Sequence, residues 1–243
     1  MTDSASSAIP ANIGERSERR LYTLAAVVAI AVMFAGFAPT YYLRGLYETQ
    51  QLNALRHVHG IVMTAWFGIF LVQAQLVARH RVADHRRLGI AGAVVALLVV
   101  ILGVSVGIAS ARSGVNPAGV SPKVFLVLPF GEMVAFASLV GAALLLRKRP
   151  EYHKRLMLLA TLAMLAPAMA RLPIDFLDEF GPPAHFALTD LVILAFVVHD
   201  TVKTRRLHPA FAAGLVFIIV VQVGRLAISQ TPLWDAFATW LIG

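Results

Sequence analysis

The chain has 243 residues, 58% of them hydrophobic and only 14% charged, and its mean hydropathy is +0.75. A soluble globular domain carries about a quarter charged residues, so a soluble fold is excluded and a lipid bilayer is the expected solvent. The absence of cysteine excludes disulfides, thiolate metal sites, iron–sulfur clusters and covalently attached c-type haem.

In chain order, residues 1–20 are polar and read as a disordered tail. They lack the apolar stretch and cleavage site of a secretory leader, so the first apolar segment is expected to stay as an anchor. Seven apolar segments follow, at 21–39, 57–78, 88–109, 124–146, 156–172, 184–199 and 210–228. Most approach the roughly 20 residues that cross about 30 Å of hydrocarbon as a helix. Pro167 predicts a kink in the fifth, and Pro182-Pro183 precede the sixth. Backbone polar groups in lipid must be satisfied within a segment or a closed barrel. The alternating ten-residue strands of a barrel are missing. The expected fold is therefore an all-α polytopic bundle of seven transmembrane helices over residues 21–243.

Lys and Arg predict its orientation. Fifteen of the 21 lie in the N-terminal tail and in segments 79–87, 147–155 and 200–207; five, Arg44, Arg56, Arg112, Lys123 and Arg171, lie on the opposite side. The basic side is the cytoplasm, which puts the N-terminus inside and the C-terminus in the periplasm. The net charge of +8 is then topology, and no nucleic-acid-binding motif accompanies it.

"RVADHRRLGI" from Arg81 and "RPEYHKRLML" from Arg149 share R-x-x-x-H-[RK]-R-L. Each opens a span after a short cytoplasmic loop. Residues 57–109 and 124–172 are thus expected to be two copies of one hairpin, related as parallel repeats are; a basic loop can also reach such a match independently.

Two layers of polar side chains stand out. In the outer layer, Glu132, Arg171, Asp190 and Arg225 come from four spans at similar depth, with Gln222 beside Arg225. An intramembrane charge costs at least about 2.5 kcal/mol unless paired or wetted, so these residues are expected to converge. They can neutralise one another as a structural knot, or line a cavity for a quinone, a proton path or a second ligand. His57 and His59 sit at the outer end of the second span. His57 reads as interfacial. His59 continues at helical spacing into Met63, Trp66, Phe70 and Gln73, a candidate inward face.

In the inner layer, His85 and His153 occupy matching positions of the repeat, and His199 closes the sixth span. Neutral imidazole is the commonest metal ligand and a ligand of haem iron. Arg86, Arg87, Lys154 and Arg155 are at hand to pair with haem propionates. The competing reading makes these histidines part of an interfacial basic patch. There is no H-E-x-x-H zinc motif, no H-x-x-H-H di-iron cluster, no Walker loop and no G-x-G-x-x-G fingerprint. The seventh span carries no lysine for a retinal Schiff base.

"HVHGIVMTAWFGIFLVQAQLVARHRVADHRRLG" and "RKRPEYHKRLMLLATLAMLAPAMARLP" resemble a family of uncharacterised bacterial multi-pass membrane proteins, over residues 41 to 240. The resemblance implies a bacterial inner membrane and transfers no activity. In layout, the histidine-bearing hairpins resemble membrane b-type cytochromes, haem A synthase and membrane proteins of cytochrome oxidase assembly. The fourth span has no histidine opposite His59, so the likeness does not extend to a second, outer haem. The leading expectation is a redox or cofactor-handling membrane protein. It would hold haem b or a metal ion through His85 and His153, with His199 and His59 as further candidates. The alternatives are an assembly factor or accessory subunit of a respiratory-type complex, and a small proton-coupled transporter using Glu132 and Asp190.

Overall fold

The computed structural model describes residues 13–47, 51–114, 120–174, 176 and 179–243, with side chains from residue 20 onward, and its regular structure among these is entirely helical. Six helices are long and apolar enough to cross a membrane, which identifies a multi-pass membrane protein. They are α1 (Ile13–Phe37, continued by a π-turn Ala38–Tyr42), α2 (Ala54–Ala78), α3 (Val82–Ser113), α4 (Pro122–Leu145), α7 (Pro182–Thr204) and α8 (Pro209–Ile228). Helix α1 begins at Ile13, inside the expected polar tail; the rest of that tail, residues 1–12, lies outside the described residues.

Proline places many of the helix starts. α4, α7 and α8 begin on proline, as do α5 (Pro150–Ala163) and α9 (Pro232–Ile242). Proline is tolerated there because a first-turn N–H has no intrahelical partner anyway. The side chains of Ser121, His208 and Thr231 accept the next free backbone N–H groups, from Val124, Ala210 and Trp234. At the other end of a helix, Gly114 ends α3 in the left-handed region at φ 67°, where the lack of a Cβ removes the usual penalty.

The fifth expected span is two helices, α5 and the single turn α6 (Ala166–Met169). The break has a local cause. Pro167 cannot donate to the carbonyl four residues earlier and its ring clashes with that turn; α5 ends at that residue, Ala163. The interrupted segment is the centre of the bundle. Leu158, Leu159 and Leu162 have no exposed surface, and α5 packs on α1, α4, α7 and α8. Its Arg155 lies in electrostatic range of Tyr22 near the start of α1. At the other end, the carbonyl of Ala168 occupies the space that a side chain at Gly36 would need. Close backbone approach through small residues is the usual way helices pack where lipid competes equally for apolar surface.

Helix α3 has 32 residues, about 48 Å of helix at 1.5 Å per residue. Its C-terminal end and the start of α4 meet α9, an element that the apolar spans did not include. Arg112 donates to the carbonyl of Leu241 at 2.7 Å, Lys123 pairs with Asp235 at 2.7 Å, and Trp234 Nε1 donates to the carbonyl of Lys123 at 2.8 Å. α9 exposes Leu233 and Trp240. An apolar, tryptophan-bearing face beside charged residues suits the membrane–water boundary.

Both copies of the R-x-x-x-H motif fold alike at their start. Arg81 and Arg149 are N-cap residues, and their carbonyls accept from His85 N and His153 N, each at 3.0 Å.

Candidate functional site

At the end of the bundle that carries the α2–α3 and α4–α5 turns, the two motif histidines meet. The rings of His85 and His153 have centroids 6.3 Å apart and planes at 88°. His153 Nδ1 donates to the carbonyl of Ala143 at 2.8 Å, which fixes that tautomer and leaves its Nε2 as a lone-pair donor. His85 is held through its backbone: its carbonyl accepts from Gln73 Nε2 at 3.1 Å. Its Nδ1 is buried and has no hydrogen-bond partner among the described residues. Metal–imidazole bonds are about 2.0–2.1 Å, so two rings on opposite sides of one ion have centroids about 6 Å apart. The anchored second nitrogen of His153 also matches the usual support of a ligating histidine.

The surroundings differ from the sequence expectation in two respects. His199 is exposed, in a shallow groove with Ala195, Val198, Val202 and Lys203, and is not brought to the pair. Of the four cations expected to serve propionates, three are engaged. Lys154 pairs with Glu151 at 2.6 Å, Arg87 reaches Asp84 at 3.9 Å, and Arg155 is locked in a buried ion pair. Exposed Arg86 remains, close enough to act electrostatically on His85.

That buried ion pair was missed in the sequence. Arg155 and Asp200 are each 2% exposed. Nε of Arg155 donates to Asp200 Oδ2 at 3.0 Å, and Nη2 donates to Oδ1 at 3.0 Å and to Oδ2 at 2.9 Å. Nη1 turns to the carboxylate and the carbonyl of Glu151. The bidentate geometry satisfies every nitrogen of the guanidinium. Nearby, Tyr152 packs edge-on against His208 at 4.7 Å. Burial would raise the Glu151 carboxyl, but hydrogen bonds and charge from Lys154 and Arg155 outweigh it and hold it below the usual carboxylate range. Burial, and then the charge of Arg155, push His208 below the usual imidazole value. A signal for Arg155 was present: it shares helical spacing with Leu158, Leu159 and Leu162, so it lies on the buried face of α5.

At the opposite end the expected outer cluster divides. Glu132 and Arg225 pair at 2.9 Å, with side chains 8% and 5% exposed. Gly131 lets the arginine lie across α4, because a Cβ there would be 2.6 Å from Arg225 Cδ. Arg225 Nη1 also donates to the carbonyl of Leu128 at 3.0 Å, and its guanidinium stacks 3.9 Å from the ring centre of Phe186. Its Nε has no partner among the described residues. Asp190 accepts from Gln222 Nε2 at 3.0 Å and lies in electrostatic range of both Glu132 and Arg225.

Arg171 is elsewhere. It donates to the carbonyl of Pro167 at 2.6 Å, stacks 4.6 Å from the Phe37 ring centre and acts on His59. Three of the four outer residues therefore form one group, while Arg171 and His59 form another. His57 packs against Tyr41 at 5.9 Å. The face beginning at His59 turns inward: Trp66 is 2% and Phe70 8% exposed, and Trp66 stacks edge-on to Phe136 at 4.8 Å. No protein-family model, no curated protein and no solved structure matches the chain.

Proposed function

We propose that this chain is a bacterial inner-membrane protein with seven crossings, a cytoplasmic N-terminus and a periplasmic C-terminus, and that it handles a redox cofactor or metal through His85 and His153. α5 and α6 act together as the additional crossing. This is supported by Arg155 lying near Tyr22 at the start of α1 and Ala168 lying against Gly36 near its end. The excess of Lys and Arg on the α2–α3, α4–α5 and α7–α8 turns supports the orientation.

The observation that carries the cofactor reading is the 6.3 Å approach of two imidazoles from matching positions of the repeat. The His153 ring is oriented by its bond to the Ala143 carbonyl, while Gln73 holds only the backbone carbonyl of His85. A transition-metal ion or haem iron held there supplies a one-electron couple or an open coordination position. The chain's own part is to fix the His153 ring by keeping its Nδ1 on a carbonyl, which leaves Nε2 to face a ligand. Three of the four neighbouring cations are engaged, and among the described residues no group of three or more histidine, aspartate or glutamate side chains is placed to hold an ion, so the pair would supply two ligands and leave the remaining positions open.

The test is an absorbance spectrum and metal analysis of the detergent-purified protein. About one metal or haem per chain is expected, lost in both His85→Ala and His153→Ala. A protein with neither a Soret band nor stoichiometric iron, copper or zinc refutes the reading.

A further inference from the structure

His199, left apart from the histidine pair, belongs to the opposite face of its helix. The inward side of α7 buries Phe186, Ile193, Phe196, Val197 and Asp200. The other side exposes Leu191, Ala195, Val198 and Val202. These recur at helical spacing and form one stripe, turned away from the bundle towards hydrocarbon. His199 and Lys203, one turn apart, flank it. Together with Ala195, Val198 and Val202 they line the groove on α7, whose volume is about 520 Å³, within the range of small-ligand sites.

An imidazole and an ammonium beside a lipid-facing stripe are unusual, because ionisable groups in spans almost always turn to the bundle interior or to water. The acid nearest to them in sequence, Asp200, points inward and is taken up by Arg155. Residues 201–208 add Arg205 and Arg206 to Lys203 and hold no acid. One end of the groove is therefore positively charged, and the rest is apolar.

That combination selects the occupant. It must lie in the membrane phase, lay an apolar chain on Ala195, Val198 and Val202, and bring negative charge to Lys203. An anionic phospholipid does all three. The stripe rises about 18 Å from Leu191 to Lys203, close to the roughly 15 Å of hydrocarbon in one leaflet. Lys203 offers an ammonium and His199 one ring N–H in either tautomer, so a phosphate meets two donors. Free phosphate leaves the apolar wall uncovered. A second copy related by a two-fold axis along the membrane normal sets Lys203 against Lys203, like charge against like.

We infer that the α7 groove binds one anionic phospholipid, with its phosphate on His199 and Lys203 and an acyl chain along Ala195, Val198 and Val202. The site needs no metal at His85 and His153 and holds for either orientation of the chain in the membrane.

The experiment titrates the full-length protein in detergent with phosphatidylglycerol or with phosphatidylcholine of the same acyl chains, and counts bound lipid by native mass spectrometry. One phosphatidylglycerol per chain is expected, held about tenfold more tightly than phosphatidylcholine. Lys203→Gln and His199→Leu should each weaken it by about tenfold, the worth of one hydrogen bond to a charged group. Both positions are exposed, so the fold should survive. Lys148→Gln, an equal loss of charge on the α4–α5 turn, should change nothing, and Ala195→Trp, which fills the groove, should weaken both lipids. Equal affinity for the two lipids overturns the inference. So does an equal loss in Lys148→Gln and Lys203→Gln, which leaves only diffuse attraction to a basic surface. Unaltered binding in Ala195→Trp overturns it too, as does a dimer that this substitution dissociates, which makes the groove an interface between copies.

Discussion

The bundle buries an arginine–carboxylate pair near each end, and the two pairs are built differently. Arg155 and Asp200 exchange three hydrogen bonds, and the remaining nitrogen of the guanidinium is taken by Glu151. Arg225 and Glu132 exchange one, Arg225 Nε is left over, and a second carboxylate, Asp190, stands in range. The first pair is saturated and joins α5 to the end of α7. The second has slack: one guanidinium faces two carboxylates and an aromatic ring. A saturated pair resists any change of protonation or partner, whereas a slack pair in a low-dielectric interior can redistribute its bonds. The Arg155 end is thus a structural clamp, and the Arg225 end is the more adaptable of the two.

Breaking the clamp should give the largest effect. In Asp200→Ala, Arg155 stays buried with only the more exposed Glu151 carboxylate as partner, and removing one partner of a buried ion pair costs about 3–5 kcal/mol. The thermal midpoint in detergent should fall sharply or the protein fail to accumulate. Replacing both partners, Arg155→Met with Asp200→Leu, should recover much of the loss, because an apolar pair of similar volume removes the unpaired charge. If the double variant is as unstable as the single one, the pair has a role beyond neutralisation.

The Arg225 end should tolerate the matching change better. Glu132→Gln retains a hydrogen-bond acceptor for the guanidinium and leaves Asp190 to supply the negative charge, so a loss of about 1–3 kcal/mol is expected, the cost of weakening a charged hydrogen bond. Adding Asp190→Asn removes the reserve carboxylate, and the combined loss should exceed the sum of the single losses. Additive losses in such a cycle would show that Asp190 does not share the arginine.

Much of the scaffold was legible in the sequence, because its signals are local. Proline at the helix starts, apolar runs of spanning length and the basic turns fixed six helices and the repeat that brings His85 to His153. The break of the fifth span was legible in kind but not in place: Pro167 marked it, yet the helix stops at the carbonyl the ring displaces. α9 was missed because its 11 residues are shorter than a span and its Lys123 and Arg112 partners are distant in sequence. The clamp was missed for a related reason. Arg155 sits in a basic turn and Asp200 follows an exposed histidine, so each reads as solvated. Only the coincidence of Arg155 with a buried leucine stripe on α5 contradicts that. The single outer pocket failed because equal depth along separate helices does not fix which way each side chain turns. Arg171 stacks on Phe37 beside His59 and takes no part in the Glu132–Arg225 pair.

The smallest effect concerns acidity, and it again separates the two ends. His208 caps α8 by accepting from Ala210 N through Nδ1 at 3.1 Å, which requires the unprotonated ring. Burial and the neighbouring Arg155 hold its pKa below the ordinary 6.5. In the window between the two values the unfolded chain binds a proton that the folded one refuses. The contribution of His208 to stability is therefore complete above about pH 6.5 and lost as pH falls towards its lowered value. Glu151 adds a loss at more acid pH: its lowered pKa gives a contribution present above the ordinary carboxylate range and lost as pH falls through the folded value. His208→Asn keeps a good capping acceptor and removes the titration. Its thermal midpoint in detergent should then change little as pH falls from 7 to 5 (about one and a half units on the acid side of the ordinary imidazole value), while that of the unaltered protein declines. An equal decline in both proteins would show that the acid sensitivity does not come from His208.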